Sequence, residues 1–129
     1  MDQHIGLSHA EWRVMEALWE RSPRTIAQLT AALEEENGWG KHTVISFLNR
    51  MEKKGAVTYR EEGRARAYSP AYPREEATLE ETERFLGRVF GGRVGLLVSS
   101  MVDSRALSEA EIDELLAILQ KAKGGGGDV

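Results

Sequence analysis

The residues best suited to bind a partner lie in one stretch, from Trp39 to Gly55. Four apolar side chains recur there at the i, i+3, i+4 and i+7 positions of one buried helix face: Val44, Phe47, Leu48 and Met51. The opposite face carries hydroxyl, amide, imidazole and cationic groups: His42, Thr43, Ser46, Asn49, Arg50 and Lys53. An ordinary solvated helix usually mixes in more carboxylates, so this face favours an anionic partner. The alternative is that Lys53 and Lys54 only offset the negative end of the helix dipole ahead of a glycine cap.

Two further helices are predicted before this one. Ser8 and Glu11 have the spacing of a capping box, which predicts the start of a first helix. Thr25 and Gln28 repeat that spacing and open a second helix, which is predicted to end at Gly38. Two short helices joined so closely, the later one polar and basic on its exposed face, form the helix-turn-helix pattern.

A β-hairpin is predicted directly after the third helix. Residues 56–60 and 64–68 have strand composition, and residues 61–63 form the expected loop, with Gly63 in the left-handed conformation. A hairpin in this position is a wing. Arg64, near its tip, is placed to reach a phosphate or a minor groove, although a solvated hairpin arginine is nearly as ordinary.

Charge is unevenly distributed along the 129 residues, whose net charge is −4. Residues 1–73 carry ten Lys or Arg and ten Asp or Glu, whereas residues 74–129 carry seven against eleven. Residues 41–66 therefore form a basic patch within an acidic protein.

The chain has no cysteine, which excludes disulfides, thiolate metal sites and a cysteine nucleophile. It has no long apolar run, so we expect a cytoplasmic protein without a membrane segment.

Three apolar stripes at helical spacing follow Arg74, and a capping-box pair, Ser108 and Glu111, opens the last predicted helix. So small a unit cannot cover three such stripes by itself. We expect a second copy of the chain to cover them, with packing against the N-terminal part as the alternative. The side chains predicted to form the dimer interface are Phe85, Leu86, Val89, Phe90, Leu97, Met101, Leu115, Leu116 and Leu119.

Three segments follow one another in a characteristic order and at characteristic spacing along the chain: LSHAEWRVM at 7–15, TVISFLNRMEKKG at 43–55 and GRARAYSP at 63–70. With these segments the chain closely resembles the penicillinase-repressor family, the BlaI/MecI/CopY type of bacterial winged-helix regulators. The resemblance implies a homodimeric repressor that binds a palindromic DNA operator. It also places the family's groove-facing positions on His42, Thr43, Ser46 and Arg50.

We therefore expect a mainly α fold with a small β-hairpin wing. A winged helix-turn-helix DNA-binding domain is expected over residues 1–73, a helical dimerisation domain over 74–123 and a disordered tail over 124–129. The side chains expected to bind DNA are His42, Thr43, Ser46, Arg50, Lys53, Lys54 and Arg64.

Two departures from the family concern release from DNA. Members released by a sensor protease are cut at an Asn-Phe pair, and this chain has Ser100-Met101 at the corresponding place. Copper-responsive members carry a C-terminal cysteine cluster, which this chain lacks, so induction by a metal-thiolate switch is excluded. A smaller departure is Arg66, where the family tends to have an aromatic residue; whether it binds DNA or covers the wing is open. The inducer, the partner that triggers release and the target gene are not identified by the sequence.

Other function classes fit less well. His4, His9 and His42 are the only histidines; they lack metal-site spacing, and no glycine-rich phosphate loop follows a strand. We therefore expect no catalysis, no cofactor and no metal site. The alternative that keeps the fold is a winged-helix protein-interaction module without DNA specificity, since a fold does not dictate its function. The basic, hydroxyl-rich helix face favours DNA over that alternative.

Overall fold

The computed structural model describes residues 5–126, with side chains described as far as residue 124. In chain order the elements are α1 (His9–Glu20), β1 (Arg24–Thr25), α2 (Ile26–Asn37), α3 (Lys41–Lys54), β2 (Val57–Glu62), β3 (Ala65–Pro70), α4 (Arg74–Phe90), α5 (Val94–Asp103) and α6 (Glu109–Gly126). The chain forms two compact units, and the second begins at Glu83.

The predicted capping boxes start the first two helices. The Ser8 hydroxyl accepts the Glu11 N–H at 3.1 Å, and the Glu11 carboxylate accepts the Ser8 N–H at 2.8 Å. Thr25 and Gln28 make the same pair of bonds at 3.2 and 2.8 Å. Each pair satisfies two backbone donors that a helix start would otherwise leave unpaired, which confirms both predicted starts.

The core of the first unit lies where helices α1, α2 and α3 pack on the sheet. Of the predicted apolar stripe on α3, Val44, Leu48 and Met51 are fully buried, and Phe47 is half-buried against the same core. The other large buried side chains of this core are Val14, Met15, Leu18, Leu29, Leu33, Val57, Tyr68 and Tyr72. Burial of one face fixes which side of α3 remains exposed.

The sheet contains three antiparallel strands in the order β1-β3-β2. The hairpin is confirmed, but its loop is shorter than the predicted 61–63. Glu61 and Glu62 continue the ladder, opposite Arg66 and Ala65, so the turn consists of residues 63–64. Cross-strand pairing outweighs the weak strand propensity of glutamate here. Gly63 adopts the predicted left-handed conformation, with φ 64°.

Helix α4 begins inside the first unit, which extends to Thr82 rather than to the predicted boundary at residue 73. Ala77 is buried in the core of that unit. The Tyr72 hydroxyl also donates a hydrogen bond to the carboxylate of Glu80. The opening turns of α4 therefore complete the N-terminal core before the helix continues into the second unit.

The second unit contains the rest of α4 with α5 and α6. Ser108 and Glu111 form the predicted capping box, with bonds of 2.9 and 3.1 Å. No residue from 83 to 124 is buried. The prediction of a disordered tail from Gly124 is wrong for residues 124–126, which continue α6, whereas residues 127–129 lie outside the described part. Extending an existing helix adds a backbone hydrogen bond per residue, which offsets the cost of about 1 kcal/mol per glycine.

Within residues 5–126, no single helix has both the length and the apolar composition needed to cross a membrane. The pair α4 and α5, bent at the break between them, meets those two criteria only when taken together.

Candidate nucleic-acid interface

The helix-turn-helix is formed by α2 and α3. Gly38 ends α2 with φ 70°, a left-handed conformation that glycine adopts at little cost. Gly40 is the N-cap of α3, and Gly55, with φ 84°, ends it. The link is therefore short, and α3 lies at the surface of the first unit with its polar face outward.

The side chains predicted to face a DNA groove are together on this outer face. His42, Thr43, Ser46 and Arg50 are all exposed, and Lys53 continues the same face one turn further along. Positions three and four apart are neighbours on a helix, so these residues form a continuous polar strip. Two residues outside the predicted binding set also border it: Asn49 on the same face and Lys41 in the first turn.

Two groups lie close to the Arg50 side chain, which remains exposed. Its Nε lies 3.6 Å from Oε2 of Glu11, and its side chain is 56% exposed. Its guanidinium carbon lies 5.2 Å from the centroid of the Phe47 ring. The Phe47 ring also packs edge-on against Trp39, with centroids 5.0 Å apart. The guanidinium of Arg50 therefore packs on a ring that is itself packed against Trp39.

Lys54 has a different environment from the one predicted for a DNA-binding side chain. Its ammonium donates to Oε1 of Glu11 at 2.6 Å and to the Gly6 carbonyl oxygen at 2.6 Å. These bonds join the end of α3 to the start of α1. The contacts assign Lys54 a structural position, because its charge is already paired with a buried carboxylate.

Glu11 is the buried carboxylate of this cluster, with only 1% of the residue exposed. Burial by itself raises the pKa of Glu11. The hydrogen bonds from Lys54 and the Ser8 N–H, with the charges of Lys54 and Arg50, outweigh burial and hold the pKa below its ordinary value. The capping-box spacing identified Glu11 as a helix cap, but no pattern in the sequence indicated its ion pairs with α3.

Of the three arginines in the wing, Arg60 and Arg66 contact other wing residues, whereas Arg64 is exposed. Arg60 pairs with Glu62 at 2.7 Å. The guanidinium of Arg66 lies 4.2 Å from the centroid of the Tyr59 ring, so Arg66 covers the wing. Arg64 is exposed in the turn and makes no ion pair with any residue from 5 to 124.

A groove of about 410 Å³ connects the wing with the start of α2 and with α3. Its cationic and amide side chains are Lys41, Asn49, Arg64 and Arg66. Lys41 was missed as a candidate contact, although its closeness in the sequence to the polar strip was a usable signal. Asn49 was predicted to lie on the polar face but was left out of the predicted binding set. Cationic side chains therefore stand on both sides of this groove, Lys41 on α3 and Arg64 and Arg66 on the wing, where they are placed to bind a phosphate backbone.

Metal ligands are not clustered in this part of the molecule. Among residues 5–126, no group of three or more His, Asp or Glu side chains is placed to hold a metal ion. His4, one of the three histidines, lies outside the described residues.

Comparison with known proteins places the chain in a family. A family model described as penicillinase repressor matches residues 7–121. The chain belongs to the penicillinase-repressor family. It is 30% identical over 117 residues to the penicillinase repressor of Bacillus licheniformis, with 91% of each chain covered. It is 25% identical over 115 residues to the methicillin resistance regulatory protein MecI of Mammaliicoccus sciuri, covering 89% of this chain and 94% of that protein.

A solved structure supports the architecture of the first unit. The chain is similar to the solution structure of the DNA binding domain of the repressor BlaI, with a TM-score of 0.53 and 29% identity. The match covers 59% of this chain and 93% of that one. The predicted mainly α fold with a β-hairpin wing is confirmed.

The side chains predicted for dimerisation of this penicillinase-repressor family member all lie at the surface of its second unit. Phe85, Val89, Leu116 and Leu119 are exposed, by 39 to 56%. The remainder are half-buried: Leu86, Phe90, Leu97, Met101 and Leu115. Their apolar surface is thus accessible to a partner.

Ser100 and Met101, the residues that the family resemblance aligned with a cleaved Asn-Phe pair, lie within α5. The carbonyl of Ser100 accepts the Ser104 N–H at 3.1 Å, and that of Met101 accepts the Ala106 N–H at 2.8 Å. The peptide bond between them is therefore part of a hydrogen-bonded helix end.

Proposed function

We propose that this protein is a transcriptional repressor that binds a palindromic DNA operator as a homodimer. The observation that carries the proposal is the outward strip on α3, in which His42, Thr43, Ser46 and Arg50 stand together with no carboxylate among them. A helix of this kind, the second of a helix-turn-helix, fits the major groove of B-DNA. Repressors among the relatives support the same function.

The contacts divide by position. Thr43, Ser46 and Arg50, with His42 at the leading edge, are placed to touch base edges. Lys53 and the wing-tip Arg64 lie nearer the rim, where they would bind phosphates and orient the protein. We leave Lys54 out of the DNA contacts because its ammonium is bonded to Glu11 and to the Gly6 carbonyl. Lys41 and Asn49 are added, since they line the groove between α3 and the wing.

The exposed apolar surface of the second unit supports dimerisation. With no buried residue from 83 to 124, the apolar side chains of α5, α6 and the C-terminal part of α4 lack the cover that a stable unit requires. A second copy supplies the same side chains in return, as a two-fold interface requires. Two recognition helices related by this symmetry would read two half-sites of one operator.

The same proposal covers catalysis, location and release. We propose that the protein is not an enzyme and acts in the cytoplasm, where bacterial DNA is found. Release from the operator would come from an inducer, a regulatory partner or dilution. The Asn-Phe pair cut by the sensor protease in other members is replaced here by Ser100-Met101.

In vitro selection from a randomised duplex library tests the proposal. The full-length protein should enrich a palindrome whose half-sites are centred about one helical turn, or a multiple of it, apart. The matched control is the Arg50→Ala variant, which should lose preference at one position in each half-site. Failure of the wild-type protein to enrich any sequence would contradict the proposal and favour the protein-interaction alternative.

A further inference from the structure

We infer that Glu11 is a positioning residue of the DNA interface: from α1, it fixes the guanidinium of Arg50 on α3 and thereby sets part of the sequence preference. The inference rests on the proposed function, because Arg50 must contact DNA for its placement to matter. It adds a residue that lies outside the interface helix and does not itself touch DNA.

Both carboxylate oxygens of Glu11 have partners. Oε1 accepts the Lys54 ammonium at 2.6 Å and the Ser8 N–H at 2.8 Å. Oε2 lies 3.6 Å from Nε of Arg50. Because Oε1 is anchored by two donors, and Glu11 is 1% exposed, the fold fixes the position of Oε2 independently of Arg50.

The ring of Phe47 supplies the second constraint, with its centroid 5.2 Å from the guanidinium carbon of Arg50. Because Oε2 of Glu11 approaches the guanidinium at Nε, the two terminal amino groups of Arg50 are left for other acceptors. Those groups form the fork that binds guanine O6 and N7 in the major groove. Glu11 and Phe47 thus direct the exposed end of Arg50 toward one position.

Two opposite effects on affinity follow. Ordering Arg50 before binding reduces the entropy lost in the specific complex, an effect of about two- to tenfold in affinity per subunit. The negative charge of Glu11 weakens the attraction between Arg50 and any phosphate, which lowers non-specific binding. Glu11 therefore increases the ratio of operator affinity to non-specific affinity, because it raises the first and lowers the second.

The test compares full-length wild type with Glu11→Gln on the selected operator and on a scrambled duplex, at several salt concentrations. Glutamine keeps the side-chain length and an oxygen that can accept the Ser8 N–H, while the charge is removed. The ratio of operator affinity to scrambled affinity should fall about three- to tenfold per subunit. Affinity for the scrambled duplex should rise, with the salt slope steeper by about 0.9 per subunit.

A purely structural role would give a different result, because loss of folded protein lowers affinity for both duplexes by the same factor. Glu16→Gln is the matched control: Glu16 lies on the same helix and pairs with the exposed Arg13 at 3.2 Å. It should leave both affinities unchanged. Adding Glu11→Gln to Arg50→Ala should cause no further loss of discrimination, because the group being positioned is already absent.

The outcomes separate the inference from the function on which it rests. If Glu11→Gln keeps the wild-type discrimination, or weakens both duplexes equally, Glu11 does not position Arg50, and the repressor function stands on the wild-type data. If wild type itself does not distinguish the two duplexes, the proposed function fails, and this inference fails with it.

Discussion

The indole N–H of Trp19, near the end of α1, donates a 2.8 Å hydrogen bond to the backbone carbonyl of Tyr72. The bond joins the first helix to the segment between the wing and α4. Trp12 packs edge-on against the Trp19 indole, with ring centroids 5.2 Å apart. The guanidinium carbon of Arg74 lies 5.3 Å from the centroid of the Trp19 ring. Trp19 is thus part of the packed structure.

Trp19→Phe should lower the free energy of unfolding by about 1–3 kcal/mol, because it removes the donor that Trp19 supplies to this partly buried carbonyl. Urea unfolding followed by circular dichroism measures the loss. Trp39→Phe is the control, since the Trp39 indole makes no hydrogen bond within residues 5–124. An equal loss in both variants would show that ring size, rather than the bond to Tyr72, determines the cost.

Arg50→Ala should cost about 1–3 kcal/mol in binding to the operator and relax the preference at one position per half-site. Lys53→Ala and Arg64→Ala should instead weaken binding to all sequences alike, because a phosphate contact carries no base information. Each should also reduce the salt slope by about 0.9 per subunit.

Titrating operator and scrambled duplexes at several salt concentrations separates these two classes of residue. If Arg50→Ala and Lys53→Ala are indistinguishable in both salt slope and sequence preference, the division into base-reading and backbone-positioning contacts is wrong. That result would leave DNA binding itself intact.

Leu116→Asp should convert the proposed dimer to monomer. Leu116 is 52% exposed in the single chain, so burying the rest of two copies in a dimer contributes about 1.5–3 kcal/mol. Sedimentation velocity at micromolar concentration should show the change, with weaker operator binding. Ala117→Glu is the control, because Ala117 lies between Asp113 and Lys121 on the polar side of α6 by helical spacing. A wild-type protein that sediments only as monomer would refute the dimer.

Acid should destabilise the wild-type protein more than Glu11→Gln. The pKa of Glu11 is lowered in the folded state, so its charge contributes stability above its ordinary value, 4.5. That contribution is lost as the pH falls from there through the lower folded-state pKa. The pKa of Glu111 is also lowered, by its bonds with Ser108, but that effect is common to both proteins. Denaturant titrations above and below pH 4.5 measure the free energy of unfolding of both proteins. The difference between wild type and Glu11→Gln should shrink at acid pH; a difference that does not change with pH would exclude this role for Glu11.

No sensor protease should cut between Ser100 and Met101, because the Asn-Phe pair is absent and the bond lies in the hydrogen-bonded end of α5. Mass spectrometry of the protein recovered from cells with the target gene derepressed should find the chain intact at this bond. The Ser100→Asn/Met101→Phe double variant, in cells with an active sensor protease, is the positive control. A wild-type fragment ending at Ser100 would overturn the prediction.

Most of the first unit was predictable because its signals are local. Capping pairs such as Ser8 and Glu11 are three residues apart, and the stripe on α3 repeats within one helix. Strand β1 was missed, since Arg24 and Thr25 are extended only through pairing with β3, far along the chain. The burial of Ala77 at the start of α4 was not predicted for a similar reason, because it depends on the folded core.

The candidate site shows the same division. Helical spacing alone placed Ser46 and Arg50 on the exposed face, and the structure puts both there. The bond between Lys54 and Glu11 spans 43 positions and leaves no periodic pattern in the sequence. Lys54 therefore looked like an ordinary rim cation, although the fold uses it to join two helices.

Because no residue from 83 to 124 is buried in the single chain, the stability of the proposed dimer should depend on the concentration of the protein. Association that stabilises a fold makes its stability depend on chain concentration. In a growing cell, each division halves the pool, and separated subunits spend more time with this segment open to degradation. The amount of repressor would then fall faster than dilution alone predicts, and the operator would respond to synthesis rate with a threshold.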